Sequence, residues 1–289
     1  MASNDSAKPA KSPVCIITGG ASGMGLAVAE HLWQLGWNVT IIDVNEESGK
    51  EIAAAHGDSA LFFKANVADY EELSGTFAKT WDRWGRLDAV FGNAGIGDRI
   101  SFYKPQPDRA DGTPPKPSTA VIDIDLLGPI YCAYLGFHFF RKNADKSGKL
   151  IFTSSMAGIY PGPTIPLYTA AKHGLISLKV VGLTRALAQQ LRELGEPVTV
   201  NCICPGLVHT GLTKIYSFTT PEEYITPVST IITAFMRFID DSSRTGQAAE
   251  CSGENIHYRV QPEWSDDKAE FLGNGGLAKA MKQHNVKLY

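Results

Sequence analysis

The sequence predicts an α/β fold in which a doubly wound, parallel sheet of about seven strands carries helices on both faces. Short apolar runs alternate with longer stretches whose apolar residues recur at helical spacing. Such alternation is typical of a parallel sheet, because each crossover needs a covering helix. No repeat and no linker divides the alternating region. We therefore expect one catalytic domain over 12–260, after a disordered tail over 1–11 and before a C-terminal extension over 261–289.

The elements follow one another in a regular order. The predicted strands are the short apolar runs, and they span 14–18, 38–43, 60–63, 88–92, 150–153, 199–203 and 247–251. The predicted helices carry an apolar face, and they span 24–35, 46–55, 69–84, 123–140 and 168–191. The last two helices are long and rich in apolar residues, which predicts a homodimer or homotetramer interface.

Composition narrows the class of protein. The net charge of −3 gives no electrostatic reason to expect nucleic acid or an anionic membrane as a partner. No apolar run approaches the roughly 18 residues of a membrane span. Five cysteines are expected to be small buried residues in a reducing, cytoplasmic setting. We expect Cys202 and Cys204 to point to opposite faces of a strand, and therefore expect no shared metal.

A glycine-rich turn follows the first predicted strand. The stretch "TGGASGMG" over 18–25 leads from that strand into the first predicted helix. Without side chains the backbone can approach a ligand closely, and a helix N-terminus offers free N–H groups to phosphates. The turn therefore predicts a dinucleotide pyrophosphate site, although glycine-rich turns also serve packing. The candidate cofactor-binding residues here are Gly19, Ser22, Gly23, Met24 and Gly25.

Three later strand ends carry residues suited to the rest of a dinucleotide. Asp43 ends the second strand, where a carboxylate accepts hydrogen bonds from the adenosine ribose and repels a 2′-phosphate. No Arg or Lys lies in the glycine turn or directly after Asp43, so NAD is expected rather than NADP. Asn66 and Val67 follow the third strand, where they are placed to bracket adenine. The fourth strand is followed by small residues that allow close approach to a ribose, namely Asn93, Ala94 and Gly95.

Tyr168 and Lys172 are four residues apart in "YTAAK", so on a helix they share one face. A free tyrosine has a pKa of about 10 and is a poor base near neutrality, but a lysine ammonium close by stabilises the phenolate. Ser155 lies upstream at the end of the fifth strand, where it can hydrogen-bond a substrate oxygen. A lone tyrosine–lysine pair usually marks a surface helix. Together with Ser155 and the glycine turn, it predicts a catalytic site.

These motifs, in this order, resemble the short-chain dehydrogenase/reductase family. The resemblance is carried by "TGGASGMG", "GNAG", Ser155, "YTAAK" and "CPGLVHT", and it covers about 14–258. Within the family, "WGRLDAVFGNAG" and "NCICPGLVHT" are most similar to NAD-dependent 15-hydroxyprostaglandin dehydrogenase-type members. The resemblance implies a single-domain Rossmann fold. It also implies an NAD-dependent oxidoreductase that interconverts a secondary alcohol and a ketone on a fairly hydrophobic small molecule.

The resemblance implies a role for each matching residue. Tyr168 is implied as the acid/base on the substrate oxygen, and Ser155 as the group that orients the substrate. Lys172 is implied to stabilise the phenolate and to hold the nicotinamide ribose. By the same resemblance, the nicotinamide pocket is shaped by Pro205, Gly206, Val208 and Thr210.

Three positions depart from the family pattern. Asn66 stands where the family usually has Asp. Asp125, in "VIDIDLLG", occupies a position where the family has Asn, which makes it a candidate fourth catalytic residue. Ile165 stands where prostaglandin-type enzymes have Gln, so the resemblance does not carry their substrate over to this chain.

Two other interpretations stay open. The first is a carbonyl reductase of secondary metabolism that uses NADPH, and Asp43 discriminates against it. The second is a redox-inactive scaffold that binds the cofactor, which Asp125 keeps open. In either case the segments 97–117 and 211–227, which follow strands, are expected to form the walls of the substrate mouth.

Overall fold

Eight strands form the sheet of the computed structural model, which describes residues 12–176, 182–217, 219–261 and 263–284. They are β1 (Val14–Thr18), β2 (Asn38–Asp43), β3 (Ala60–Lys64), β4 (Ala89–Gly92), β5 (Gly148–Thr153), β6 (Val198–Pro205), β7 (Ala248–Ser252) and β8 (Asn255–Arg259). The spatial order is β3-β2-β1-β4-β5-β6-β7-β8. Every pair is parallel except β7 with β8. The predicted doubly wound parallel sheet is confirmed, and all the predicted strands are present.

The strand β8 is absent from the sequence prediction. It pairs with β7 through a tight turn, in which Ser252 lies opposite Asn255. Gly253 in this turn has a φ of 55°, a left-handed conformation that two-residue hairpins require and that glycine adopts without strain. The sequence "NIHYR" of β8 is half polar, so no apolar run indicates the strand.

Helices cover both faces of the sheet. They are α1 (Gly23–Gln34), α2 (Glu46–His56), α3 (Tyr70–Trp84), α4 (Ala120–Ile122), α5 (Gly128–Phe140), α6 (Pro166–Ile176), α7 (Leu183–Leu194), α8 (Lys214–Ser217), α9 (Val228–Asp240), α10 (Asp267–Gly273) and α11 (Gly276–Gln283). Val14 and Ile16 of β1 belong to one core cluster, while Cys15 and Ile17 belong to the other. The central strand is therefore buried on both faces, as parallel sheets require.

The predicted single helix over 168–191 is wrong. The structure has two helices in this region, α6 and α7, and Gly182 precedes α7 with a φ of −65° and a ψ of 168°. Such a ψ is extended and cannot continue an α-helix. Gly182 therefore starts a new helix, while residues 177–181 lie outside the described residues.

The predicted helix over 123–140 is present but irregular. A π-helical turn, Asp123–Leu127, separates α4 from α5. Among the described residues, Ala120–Phe140 is the one helix that is long and apolar enough, by length and composition alone, to cross a membrane. Half of its most apolar stretch is buried inside the protein, and Phe139 and Phe140 pack in the core. We therefore assign it as a core helix.

The five cysteines are buried and form no disulfide. The expectation that Cys202 and Cys204 point to opposite faces is wrong, because residues two apart on a strand share a face. Both side chains lie in the same core cluster. Within the described ranges, no group of three or more His, Cys, Asp or Glu could hold a metal ion.

The two predicted terminal segments differ in what the structure describes. The predicted tail over 1–11 lies outside the described residues. The predicted extension over 261–289 carries α10 and α11, and the connection between these two helices contacts α7. Gln189 Nε2 on α7 is 3.4 Å from Asn274 Oδ1, in the connection between these two helices.

The strand β1 positions the site. It lies between β2 and β4, so the chain extends the sheet to one side through β2 and β3 and to the other side from β4 onward. Residues that follow β1 and β4 line one groove at the carboxyl ends of these strands. Ligands of doubly wound sheets bind in such a groove.

Candidate active site

The glycine turn between β1 and α1 is built by close backbone contacts. Gly19 has a φ of 65° and Gly23 a φ of 54°, conformations that favour glycine. A Cβ on Gly19 would lie 2.9 Å from Ala94 Cα, and one on Gly25 would lie 2.2 Å from Gly19 O. Gly25 does not line the groove. Its missing side chain instead lets α1 pack against the turn itself.

The groove at the carboxyl edge of the sheet has a volume of about 280 Å³. Every predicted site residue except Gly25 and Asp125 lines it. The lining residues that were predicted are Gly19, Ser22, Gly23, Met24, Asp43, Asn66, Val67, Asn93, Ala94, Gly95, Ser155, Tyr168, Lys172, Pro205, Gly206, Val208 and Thr210. Among the described lining residues, Asp43 and Lys172 carry the only charges.

The N-terminus of α1 opens onto this groove. Ser22 precedes the helix with extended backbone, and within the described chain its side chain makes no capping hydrogen bond. The first N–H groups of a helix have no partner inside the helix and attract anions. Ser22, Gly23 and Met24 line the groove at this point. The turn can therefore receive a pyrophosphate.

Asp43 holds the glycine turn and the start of the next loop. Its Oδ2 accepts a hydrogen bond from Ala21 N at 3.1 Å, and its Oδ1 accepts one from Asn45 N at 3.0 Å. The carboxylate is thereby fixed at the end of β2, on the edge of the groove. Each oxygen keeps a second lone pair, so the group can still accept a ribose hydroxyl.

Asn66 uses its side chain to shape its own loop. Its Oδ1 accepts from Ala68 N at 3.1 Å, a local turn that short amide side chains favour. Asn66 and Val67 both line the groove, as predicted. The backbone N–H of Asn66 is already bound by Glu72 Oε2 at 2.8 Å.

A threonine that the sequence prediction missed ties β1 to β4. Thr18 Oγ1 accepts hydrogen bonds from Asn93 N at 3.0 Å and from Ala94 N at 3.1 Å. Asn93 Nδ2 returns a bond to Thr18 O at 3.1 Å, and Thr153 Oγ1 donates to Asn93 Oδ1 at 3.0 Å. Asn93 is therefore a brace between three strands as well as a groove residue. The signal available in the sequence was the threonine that opens "TGGASGMG".

Ser155 and Tyr168 reach the groove from different elements. Ser155 follows β5, and its Oγ accepts from Ala157 N at 3.1 Å, at the start of a short 3₁₀ turn. Tyr168 lies in the first turn of α6. Both line the groove with Lys172, which lies one helical turn after Tyr168. Three of the four predicted catalytic residues are thus brought together in the groove.

The Lys172 side chain is buried at the floor of the groove, with 2% of its surface exposed. Its Nζ donates to Thr153 O at 3.0 Å and lies 3.1 Å from Asp125 Oδ2. It also lies 5.3 Å from the centre of the Tyr168 ring. Burial is the largest single influence and lowers the pKa of Lys172, but the charge and hydrogen bond of Asp125 together with the nearby Tyr168 outweigh it, and the pKa is raised. The ammonium form is therefore favoured.

Asp125 lies on the π-helical turn behind the groove and is fully buried. Its Oδ1 accepts from Ile96 N at 2.8 Å. Burial raises the pKa of Asp125, and the nearby Lys172 charge offsets part of that rise. A Cβ on Gly95 would lie 2.9 Å from Asp125 Oδ2 and 3.3 Å from Lys172 Nζ. Gly95 therefore leaves the space that the ion pair needs.

The two segments expected to form the substrate mouth approach each other beside the groove. Ile96 lines it just before the first segment, and Gly211, Leu212 and Thr213 line it from the second. A Cβ on Gly97 would lie 3.6 Å from Leu212 Cδ1, so the two segments are neighbours. Their position at the groove is consistent with walls around a substrate.

Comparisons with known proteins place these features in a family. The sequence model described as "short chain dehydrogenase" matches residues 13–219. A short-chain dehydrogenase/reductase, prx6, of Penicillium rubens is 33% identical over 264 residues, which is 89% of this chain and 84% of that protein. Human 15-hydroxyprostaglandin dehydrogenase [NAD(+)] is 34% identical over 205 residues, or 69% of each chain. These findings confirm the resemblance drawn from the motifs.

A solved structure agrees on the fold. The crystal structure of a 3-ketoacyl-(acyl-carrier-protein) reductase from Brucella melitensis, complexed with NADH, superposes with a TM-score of 0.70. The match covers 84% of this chain and 98% of that chain at 22% identity. At this identity the likeness supports the fold alone.

Replacing Lys172 with Met leaves the Asp125 carboxylate buried without its counter-charge. Removing one partner of a buried pair costs about 3–5 kcal/mol, so we expect Lys172→Met to lower the free energy of unfolding by roughly that amount. The loss should grow as the pH rises, because the unpaired carboxyl has a raised folded-state pKa and is then forced to ionise. Urea unfolding at several pH values measures the effect.

Two further variants test the cause. The double variant Lys172→Met/Asp125→Asn should recover most of the stability, because neither charge remains and Asn can still accept from Ile96 N. Lys50→Met removes an exposed lysine 2.7 Å from Glu46 and should cost less than about 1 kcal/mol. A Lys172→Met protein as stable as the native one would show that the buried pair is not energetically coupled.

Proposed function

Because the chain belongs to the short-chain dehydrogenase/reductase family, we propose that it is an NAD-dependent oxidoreductase that interconverts a secondary alcohol and a ketone on a fairly hydrophobic small molecule. One observation carries the proposal. A single groove has the Asp43 carboxylate at one end and Ser155, Tyr168 and Lys172 at the other, with the glycine turn between them. The chemistry of this lining, in this order, matches a dinucleotide.

The lining residues fit a nicotinamide dinucleotide. Gly23 and Met24 place the N-terminus of α1 beside the pyrophosphate, where the first backbone N–H groups of the helix would bind it, and Asp43 would accept from the adenosine ribose. Asn66 and Val67 would hold the adenine. On the other side the nicotinamide half would contact Pro205, Gly206, Val208 and Thr210. When bound, the cofactor supplies the hydride acceptor or donor for the substrate carbon.

The chain itself would supply proton transfer and placement. Tyr168 would exchange a proton between its hydroxyl and the substrate oxygen, and Ser155 Oγ would hydrogen-bond that oxygen. Lys172, held as an ammonium by Asp125, would stabilise the phenolate through its charge. The arrangement orients the reacting groups before reaction, which is the main contribution of a protein to such chemistry.

The charges near Asp43 favour NAD over NADP. A 2′-phosphate would meet the fixed Asp43 carboxylate at the end of β2. Lys64, the partner of Asp43 across β2 and β3, has its Nζ 3.0 Å from Glu46 Oε2. This lysine is therefore engaged elsewhere. The name of the human relative specifies NAD(+), which supports the same choice.

The mouth of the groove favours an apolar substrate. Ile96 and Leu212 line the groove, and the segments that follow them expose Phe102, Tyr103 and Tyr216. Large apolar side chains exposed on the loops beside a groove are typical of a binding surface. We propose that the segments 97–117 and 211–227 close around a hydrophobic alcohol or ketone.

We further propose a cytoplasmic homo-oligomer. Tyr134 on α5 has 68% of its surface exposed, and its ring lies 6.3 Å from the ring of Tyr70 on α3. This exposed aromatic surface on a long apolar helix supports a dimer or tetramer contact. Sedimentation analysis of the purified protein measures the state directly.

Cofactor choice gives the first test of the proposal. We expect the native protein to bind NAD more tightly than NADP. Asp43→Ala should lower the ratio of the NADP dissociation constant to the NAD dissociation constant about tenfold or more, because a hydrogen bond to a charged group contributes about 1.5–3 kcal/mol. Glu51→Ala, which removes an exposed carboxylate from α2, should leave the ratio unchanged. Tighter binding of NADP by the native protein would favour the carbonyl-reductase alternative.

Removal of one oxygen tests the chemistry. Tyr168→Phe deletes the hydroxyl proposed to transfer the proton and little else, so turnover should fall by roughly 10²–10⁴-fold. NAD binding should persist. Tyr134→Phe is the matched control, because it removes a hydroxyl from outside the groove lining while keeping the ring proposed for the oligomer contact, and it should keep native turnover. Both are measured as NADH formation from a panel of hydrophobic alcohols. A Tyr168→Phe protein with most of its activity would mean that the acid/base lies elsewhere.

Asp125 gives a test in the pH profile. Its carboxylate stabilises the Lys172 ammonium but cancels part of the positive field that this ammonium exerts at Tyr168. Asp125→Asn removes that cancellation, so the Lys172 charge should stabilise negative charge on Tyr168 more strongly. We therefore expect the profile of kcat/KM for oxidation to move toward lower pH in Asp125→Asn.

The control for this shift lies on the same π-helical turn. Asp123→Asn removes a carboxylate two residues away and should leave the profile in place. An unchanged profile in Asp125→Asn would show that this residue does not influence the Tyr168–Lys172 pair. If neither the native protein nor Asp125→Asn oxidises any alcohol, the redox-inactive scaffold becomes the better interpretation.

A further inference from the structure

The helix α6, which carries Tyr168 and Lys172, begins without a local cap. The residue before it is Ile165, whose carbonyl accepts from Thr169 N at 2.9 Å and thereby closes the first helical turn. An N-cap side chain normally accepts from the second and third N–H groups of a helix, and isoleucine has no atom that can do so. Pro166 opens the helix and has no N–H. The N–H groups of Leu167 and Tyr168 therefore need an acceptor from elsewhere.

Asp98 supplies that acceptor from a distant part of the chain. Its Oδ2 accepts from Leu167 N at 3.0 Å, and its Oδ1 accepts from Tyr168 N at 2.6 Å. A carboxylate at this end of a helix is also favoured by the helix dipole. The bond to Tyr168 is made to the backbone of the residue proposed to transfer the proton.

The other capped helices show how unusual this arrangement is within the described chain. α2, α3 and α10 are each capped by the residue directly before them, through the side chains of Asn45, Asp69 and Asp266. Those caps are adjacent in sequence to the helices that they cap, so a movement elsewhere in the chain does not remove them. The cap of α6 instead depends on where the loop after β4 lies.

That loop is held at a second point next to the active site. Ile96 N donates to Asp125 Oδ1, and Asp125 Oδ2 pairs with Lys172 Nζ. The short segment from Ile96 to Asp98 is therefore bonded to α6 twice, directly at Tyr168 and through Asp125 at Lys172. It is also the beginning of the segment 97–117 proposed to wall the substrate mouth.

We propose that Asp98 is a positioning residue, a helix cap supplied from the substrate-mouth loop that sets the place of Tyr168 in the active site. The inference rests on the proposed function, because it assumes that Tyr168 transfers the proton. Asp98 acts through the backbone of α6. A loop displaced from the groove would withdraw the cap, so the catalytic tyrosine is held in place when the substrate mouth is formed.

Hydrogen exchange tests the cap without any need for turnover. In Asp98→Ala, amides in the first turns of α6, over 166–172, should exchange about tenfold faster, since losing a cap frees the first turn of a helix. Asp69→Ala is the matched control, because it removes the local cap of α3 and should speed exchange there but not in α6. Unchanged exchange over 166–172 in Asp98→Ala overturns the proposal.

Steady-state kinetics tests the positioning role. In Asp98→Ala we expect kcat to fall about 10–100-fold, as for other small misplacements of a reacting group, and the dissociation constant of NAD to change less than about threefold. Asp98→Asn keeps one acceptor oxygen and should retain an intermediate kcat. Asp69→Ala should retain kcat within about twofold. A native kcat in Asp98→Ala, or an equal loss of kcat in Asp69→Ala, overturns the proposal.

The two tests separate this inference from the function on which it rests. If the native protein turns over no alcohol, the proposed function fails and exchange over 166–172 alone decides the cap. If the native protein is active and Tyr168→Phe is not, a loss of kcat in Asp98→Ala with partial rescue by Asp98→Asn supports Asp98 as the residue that positions Tyr168.

Discussion

The buried ion pair between Lys172 and Asp125 is the interaction on which the rest of the site depends. Charges out of contact with water are stable only when they are paired and hydrogen-bonded. Here Thr153 O completes the environment of the ammonium, and Ile96 N that of the carboxylate. The bonds join β5, the loop after β4, the π-helical turn and α6. The pair therefore holds together the elements that bring Ser155 and Tyr168 to one groove.

Glycine residues leave the space that the Lys172–Asp125 pair and the groove wall need. Gly95 passes so close to both charged groups that a Cβ there would meet them, and Gly19 approaches Ala94 in the same way across β1 and β4. The backbone can thus form the groove wall directly over a buried charge. Since Lys172 and Asp43 are the only charged residues among its described lining, the groove has one positive and one negative end. That polarity suits a ligand with a ribose at one end and a developing anion at the other.

Much of this site could be predicted from the sequence because its residues lie in short, locally determined patterns. A glycine turn, an acidic strand end and a tyrosine–lysine pair at helical spacing each arise within a few residues, and the groove collects almost all of them. The failures have physical causes. Gly25 has the right spacing for the turn but serves packing, and the helix predicted over 168–191 is interrupted where Gly182 takes an extended conformation. The half-polar β8 gave no apolar run to recognise.

The sequence by itself determined that the sheet is parallel and doubly wound, at which edge of the sheet a cofactor is expected, and which groups are proposed to react. These features follow from periodicity and from the residues at strand ends, which are local properties. Only the tertiary structure decided which groups touch. Asp125 is 47 residues from Lys172 in the chain and Asp98 is 70 residues from Tyr168, yet each lies within bonding distance of its partner. Such contacts depend on the loop after β4 crossing the N-terminal half of α6. No local pattern encodes that crossing, since it joins residues that are far apart in the chain.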